Sequence, residues 1–237
     1  MALRREIMNY VGTGAIGGII GYYARAQGLL GIKSEEVVRT PPEDEDQPPE
    51  TEGSESPQLA TFEDESLDSW QDTDNARITD QDSFSGNQSV VITDRNENGG
   101  IGGSIIRPVD SVTPNQLSAA FQAGDGPTPT VVVRWRDSQQ NAVHTIRMSI
   151  PRNNIQYPNQ QGRRPFHEGV ETSNWYHVVL GDLDWEEGTV GEIKVNNQVV
   201  DEDVQFPSST EPITSVQLRC HSGGTGMTAH FDDVVIG

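Results

Sequence analysis

The chain has 237 residues, a formal net charge of -20 and only 33% hydrophobic residues. That length allows one large domain or two small ones, and the low apolar share leaves part of the chain outside any core. Surplus carboxylate excludes general binding to a phosphate backbone, and a single cysteine, Cys220, excludes an intrachain disulfide framework or a cysteine zinc cluster.

In chain order the first part is residues 1–33. Arg4 and Arg5 precede an apolar stretch from Ile7 to Ala24 that is rich in glycine. Each glycine costs about 1 kcal/mol against alanine in a helix. The glycines are nevertheless patterned: Gly14, Gly17, Gly18 and Gly21 stand at i, i+3, i+4 and i+7, on one helical face. Three readings stay open. The arginine pair, the weakly hydrophobic core and Ala24-Arg25-Ala26 resemble a twin-arginine export signal with its cleavage site. The uncharged run, about 18 residues, is at the short limit for a membrane span. The third reading, preferred here, is an oligomerising helix, because glycine on one face lets backbones approach closely. It predicts a homo-oligomer whose residues 1–33 pack against capsid or envelope subunits.

Residues 34–59 are dense in Glu, Asp, Pro and Ser. Like charges repel and prolines interrupt hydrogen-bond ladders, so this is an extended acidic linker or stalk. From Ala60 to Gly237 short β-type runs alternate with Gly, Asn, Asp and Pro. The spacing predicts strands over 89–93, 116–122, 130–136, 142–150, 175–180, 189–195, 198–200, 215–220 and 228–236. Asp137–Asn141 and Asn196–Asn197 read as hairpin turns, the second because asparagine tolerates positive φ. No helix-period segment intervenes. The expected fold is all-β, a two-sheet antiparallel jelly-roll sandwich preceded by the N-terminal helix and the linker.

Three stretches carry a resemblance. FEDESLDSW with FSGNQSVVI, then NWYHVVLGDLDWEEGTVGEIKVNNQVV, then HFDDVVI resemble the opening, middle and last strand of laminin-G-like, concanavalin A-like lectin jelly rolls. Related galactose-binding-type modules have similar ends, which leaves the choice between two sandwiches open. The resemblance covers about residues 60–237 and implies a domain that binds glycans, proteins or calcium, with some hydrolases among its members. It also implies a structural Ca²⁺ between the opening acidic motif and the closing Asp pair, here Glu63 with Asp232 or Asp233.

The residues themselves favour a binder over an enzyme. A glycosidase needs two carboxylates across a cleft, and sandwich hydrolases usually carry theirs as Glu-x-Asp-x-x-Glu along one strand, which this chain lacks. The acidic group in GDLDWEEG reads as a solvated hairpin tip. No serine-elbow, zinc-helix or phosphate-loop motif occurs. The expectation is therefore a protein that is not an enzyme. Residues 151–169 form a long connection holding Tyr157, Arg163, Arg164 and Phe166, an aromatic and polar set suited to a glycan rim. Arg134 and Arg136 share one strand face opposite Val133 and Trp135, either as a docking patch for anionic sugars or an acidic partner, or as partners of internal carboxylates. The four tryptophans, Trp70, Trp135, Trp175 and Trp185, read as core.

Only two of the basic residues are lysine, Lys33 and Lys194. Abundant acid with scarce lysine suits high salt, which screens self-repulsion, so a haloarchaeal or haloarchaeal-virus origin is expected. The combined expectation is a lectin-like sandwich shown on a virion turret or spike, or on the outer face of a cell envelope, where it binds a surface glycan. An exported or membrane-anchored glycan-binding protein and a polysaccharide hydrolase remain as alternatives.

Overall fold

The computed structural model describes residues 58–63, 66–95, 102–124, 126, 128–159, 162–207, 210–221 and 226–237. Gly14, Gly17, Gly18 and Gly21, and the linker up to residue 57, lie outside the described residues.

The described chain is nearly all β and forms two antiparallel sheets. The larger runs β12 (Gln198–Gln205), β11 (Thr189–Val195), β10 (Trp175–Asp184), β5 (Leu117–Ala123), β14 (Met227–Ile236), β3 (Ser89–Asp94) and β2 (Ala76–Thr79). A short first strand, β1 (Gln58–Ala60), pairs with the far end of β14. The smaller sheet runs β4 (Ser104–Val112), β13 (Ile213–His221), β6 (Thr130–Arg136), β7 (Ala142–Ser149), β8 (Asn154–Asn159) and β9 (Gly162–Glu168). The expected jelly-roll sandwich is the fold observed.

Period-2 alternation decides which side chains fill the gap between the sheets. From the smaller sheet Val131, Val133 and Trp135 of β6 point inward with Ile146 and Met148 of β7 and Leu218 of β13. They meet Phe121 of β5, Val178 and Leu180 of β10 and Phe231 of β14. Each such side chain contributes about 1.5–3 kcal/mol by leaving water. Cys220 belongs to the same layer, and burial pushes its thiol up to about 12, an inert state. Asn196 and Asn197 take φ of 48° and 66°, as the β11–β12 hairpin turn requires.

Two expectations need correction. The connection at 151–169 is not an irregular loop: after a single 3-10 turn at Ile150–Arg152 it folds into the β8–β9 hairpin. Prolines at 158 and 165 masked this, yet both are tolerated, because β9 is an edge strand and β8 pairs with β7 only over Asn154–Gln156. Trp70 and Trp135 are buried and Trp185 packs against the core as expected, but Trp175 does not. Its neighbour Tyr176 takes the inward position, which puts Trp175 on the outer face of the larger sheet.

Candidate functional site

Outward positions of the smaller sheet build one candidate site. Strand β6 turns Val132, Arg134 and Arg136 to the outer face because the alternate positions are core; the two arginines are half-buried there and Val132 is buried beneath its neighbours. Antiparallel pairing then sets β13 and β7 on either side. Val132 lies between Arg219 and Arg147, and Arg134 between Gln217 and Thr145. His221 of β13 stands opposite Thr130, one step further along. The result is a groove of about 280 Å³ lined by Arg134, Thr145, Arg147, Pro158, Arg219 and His221, among others.

Two of the outward cations, Arg134 and Arg136, share one amide oxygen. Arg134 Nη1 donates to Gln217 Oε1 at 3.4 Å, and Arg136 Nη2 donates to the same oxygen at 2.6 Å. Arg136 Nη1 also donates to Gln140 Oε1 at 3.2 Å. Among the described residues these two arginines do not make the carboxylate pairing left open from sequence. Burial lowers the Arg134 guanidinium from its usual value, and the positive charges of Arg219 and Arg136 lower it further. Arg136 is lowered by burial and by Arg219. His221 is lowered by burial first and then by Arg219 and Arg147, with Asp94 opposing. The Nε atoms of Arg136 and Arg219 and Nδ1 of His221 are buried and find no hydrogen-bond partner among the described residues.

The other expected ligand residues are not brought to this groove as a rim. Tyr157 is 1% exposed, on the inward face of β8, and its hydroxyl lies 2.7 Å from His144 Nδ1. Burial raises the Tyr157 hydroxyl well above its usual value and lowers His144 to about 3, so a neutral pair sits in the core. His144 in turn packs edge-on against Phe206 at 4.5 Å and Trp185 at 5.5 Å. Phe166 is half-buried and packs on the core. Arg164 Nη2 pairs with Asp201 Oδ1 at 2.7 Å. Arg163 lies in β9, and its side chain is outside the described residues. Gln217, Arg219 and His221 were missed by sequence reasoning. Their only local signal is an outward alternation around Leu218 and Cys220, and nothing local joins them to β6.

The acidic residues expected to hold calcium build something else on the larger sheet. The β2–β3 connection crosses its outer face. Glu63 Oε1 accepts from the Asn87 N–H at 2.6 Å and the Gln88 N–H at 2.8 Å, and these bonds hold its carboxyl below the usual value. Asp232 Oδ2 accepts from the Phe84 and Ser85 N–H groups, both at 3.0 Å, while its Oδ1 accepts from the Asp233 N–H at 2.8 Å. Burial nevertheless pushes Asp232 up to about 6. Asp233 Oδ1 accepts from the Ser85 hydroxyl at 2.8 Å. Gly86, at φ 57°, fits because a Cβ there would collide with the Glu63 carboxylate. Asp82 completes the clasp by accepting from Trp175 Nε1 and Gln122 Nε2, both at 2.8 Å. Phe84 then lies over His177 at 5.3 Å and Trp175 at 6.0 Å.

Calcium takes six to eight oxygen ligands. Among the described residues no group of three or more His, Cys, Asp or Glu side chains is gathered to hold a metal. Glu63 Oε1 and both Asp232 oxygens face amide hydrogens, which a cation repels. The described residues fit a loop clasp and do not fit structural Ca²⁺. A second depression, of about 390 Å³, follows strand β2 past Arg77, Asp80 and Gln88, and gathers no like-charged set.

No family model matches this sequence, and a search of curated proteins finds no match. Solved structures do match. The apo Crh5 transglycosylase aligns with a TM-score of 0.51 at 10% identity, over 76% of this chain and 83% of that one. A native glycosidic hydrolase aligns with a TM-score of 0.50 at 12% identity, over 75% and 94%. A sialidase aligns at 0.47 and 14% identity, over 69% of this chain, which spans only 17% of that protein's length. The likenesses to the transglycosylase and the glycosidic hydrolase show a shared fold. They also correct the expectation that this chain is not an enzyme. That expectation rested on the absence of a known catalytic motif, and the same sandwich is carried by a hydrolase and a transglycosylase at 12% and 10% identity.

Proposed function

We propose that this protein is a glycan-binding β-sandwich and that its sugar lies in the groove on the outer face of the smaller sheet. One observation carries the reading. The groove joins apolar surface from Val132, Ala142 and Pro158 to the Thr145 hydroxyl and the Arg134 guanidinium, on strands rather than loops. A sugar ring has both an apolar face and a rim of hydroxyls, and such mixed, rigid concavities suit it. The fold shared with carbohydrate-acting proteins supports the same reading.

A finer reading concerns place. The glycine stripe at Gly14, Gly17, Gly18 and Gly21 and the acidic Pro-rich linker at 34–59 suit a domain held off a surface by a packed N-terminal helix, on a virion or a cell envelope. Support for it comes from the sequence alone.

The test is a panel of soluble polysaccharides offered to the full-length chain. Affinity and turnover are read together, the latter as new reducing ends and as unsaturated product. Retention on at least one polysaccharide, weakened by Val132→Glu, is the expected result. Absence of binding across the panel overturns the reading. Intact mass and cell fractionation test the display reading, which loses its support if the mature chain begins near Gln27 and is found free in the medium.

A further inference from the structure

Resting on the glycan reading, we infer that the groove selects a carboxylated polysaccharide, one bearing a uronate-type charge on successive units. The outward cations are not scattered. Along β6 they recur at every second residue: first Arg136, then Arg134, then the row of Val132 with Arg219 and Arg147 beside it, then the row of Thr130 with His221 opposite. A two-residue step is about 6.6 Å, so the four rows span about 20 Å along one strand. A polymer lying along β6 meets a guanidinium at each of three successive rows and the His221 imidazole at the fourth.

Three features say that this ladder is built for an anion. The chain has a formal net charge of -20, so carboxylates are abundant, yet none is paired with Arg134, Arg136 or Arg219 among the described residues. The cations also disfavour one another: Arg219 acts against Arg134, Arg136 and His221. A bound anion would relieve that repulsion. Finally, the Nε donors of Arg136 and Arg219 find no acceptor among the described residues, so the fold does not satisfy these guanidinium groups in full.

The chemistry of the donors chooses among anions. Planar guanidinium forks match the two coplanar oxygens of a carboxylate, and Gln217 already brings two of them to a single oxygen. A nucleic acid is disfavoured, because the overall charge repels a polyphosphate and the groove lining includes no Phe, Tyr or Trp ring on which a base would stack.

The experiment compares the full-length chain's affinity for polygalacturonate, for the same polymer methyl-esterified, for dextran sulfate and for a mixed single-stranded oligonucleotide. The acid form is expected to bind at least about 10-fold tighter than the ester, since each charge-assisted hydrogen bond contributes a factor of that order. The preference is expected to shrink as salt rises. Arg134→Gln with Arg136→Gln should remove it, while Arg77→Glu on β2 should leave it intact. Melting curves confirm that each variant is folded, and the neutral glutamines avoid placing new acid in the groove. Equal affinity for acid and ester overturns the inference and leaves the glycan reading standing. Tightest binding to dextran sulfate or to the oligonucleotide overturns the carboxylate assignment. No binding to any of the polysaccharides overturns both readings together.

Discussion

The two outer faces of this sandwich use charge in opposite ways. On the larger sheet Asp232 accepts three backbone N–H bonds and Glu63 two, and the β2–β3 connection is held down by them. On the smaller sheet Arg134 and Arg136 share one glutamine oxygen and are disfavoured by Arg219. On the first face the carboxylates are tied to the chain's own donors; on the second, Arg134 and Arg136 have no carboxylate partner among the described residues. Acid count alone points the other way. The resemblance implied Glu63, Asp232 and Asp233 as ligands for an ion, whereas Glu63 and Asp232 accept from backbone N–H groups and Asp233 from the Ser85 hydroxyl. Charge marks a binding site where the fold leaves it unsatisfied, and marks structure where the fold uses it.

Four measurements break or sharpen that contrast. The largest effect is expected in the core that both faces share. His144 is neutral and lowered to about 3 in the fold, against an ordinary value of 6.5. Its contribution is therefore full above about pH 6.5 and is lost as pH falls towards 3, by up to about 1.4 kcal/mol per pH unit. Urea unfolding across that window should show the slope, and His144→Gln should flatten it. A wild-type slope that survives the substitution would place acid sensitivity elsewhere.

Next comes the clasp. Asp232→Ala strips acceptors from the Phe84 and Ser85 amides and should lower stability at neutral pH by about 2 kcal/mol, with glycan binding unchanged. The ionised Asp232 is disfavoured by burial, with a folded value of about 6 against 3.8. The contribution of its protonated form is thus full below about pH 4 and lost as pH rises through 6. Asp232→Asn should remove that slope. A loss of binding in Asp232→Ala would join the two faces and end the comparison.

A smaller effect of opposite sign is expected in the groove. Arg134→Gln relieves like-charge repulsion at a half-exposed site, so it should leave stability unchanged or raise it by about 0.5 kcal/mol while weakening binding. A destabilised variant would make Arg134 structural, like Asp232. The smallest effect expected is none. A chelator should shift the melting temperature by less than about 1 °C, since the clasp gathers amide hydrogens around its carboxylates. A clear fall on chelation would return Glu63 and Asp232 to the role of metal ligands.

Much of the fold is legible locally. Two strands, Thr130–Arg136 and Thr189–Val195, have the bounds their alternation predicts. Strands with mixed burial were harder to read. β4 carries Pro108, and β8 and β9 carry Pro158 and Pro165, so propensity argued against them although edge or partly unpaired positions accept proline. The site was legible only in half. Arg134 and Arg136 stand on one face by period-2 alone, and that holds. Gln217, which holds them, and Arg219, which repels them, lie more than 80 residues away and arrive only through the β13–β6 ladder.

By itself, then, the sequence determined that the C-terminal part is β-rich, where its tight turns fall, and which residues of a strand share a face, because a strand's side chains alternate whatever it packs against. It could not say which of the two faces is inside. Tyr157 and Trp175 show this: each is an aromatic residue in a β segment, one buried against His144 and the other outside beneath Phe84. That choice belongs to the packing of two sheets and to the register between distant strands. Only the tertiary structure, by bringing β13 beside β6, set Gln217 and Arg219 among the two outward arginines.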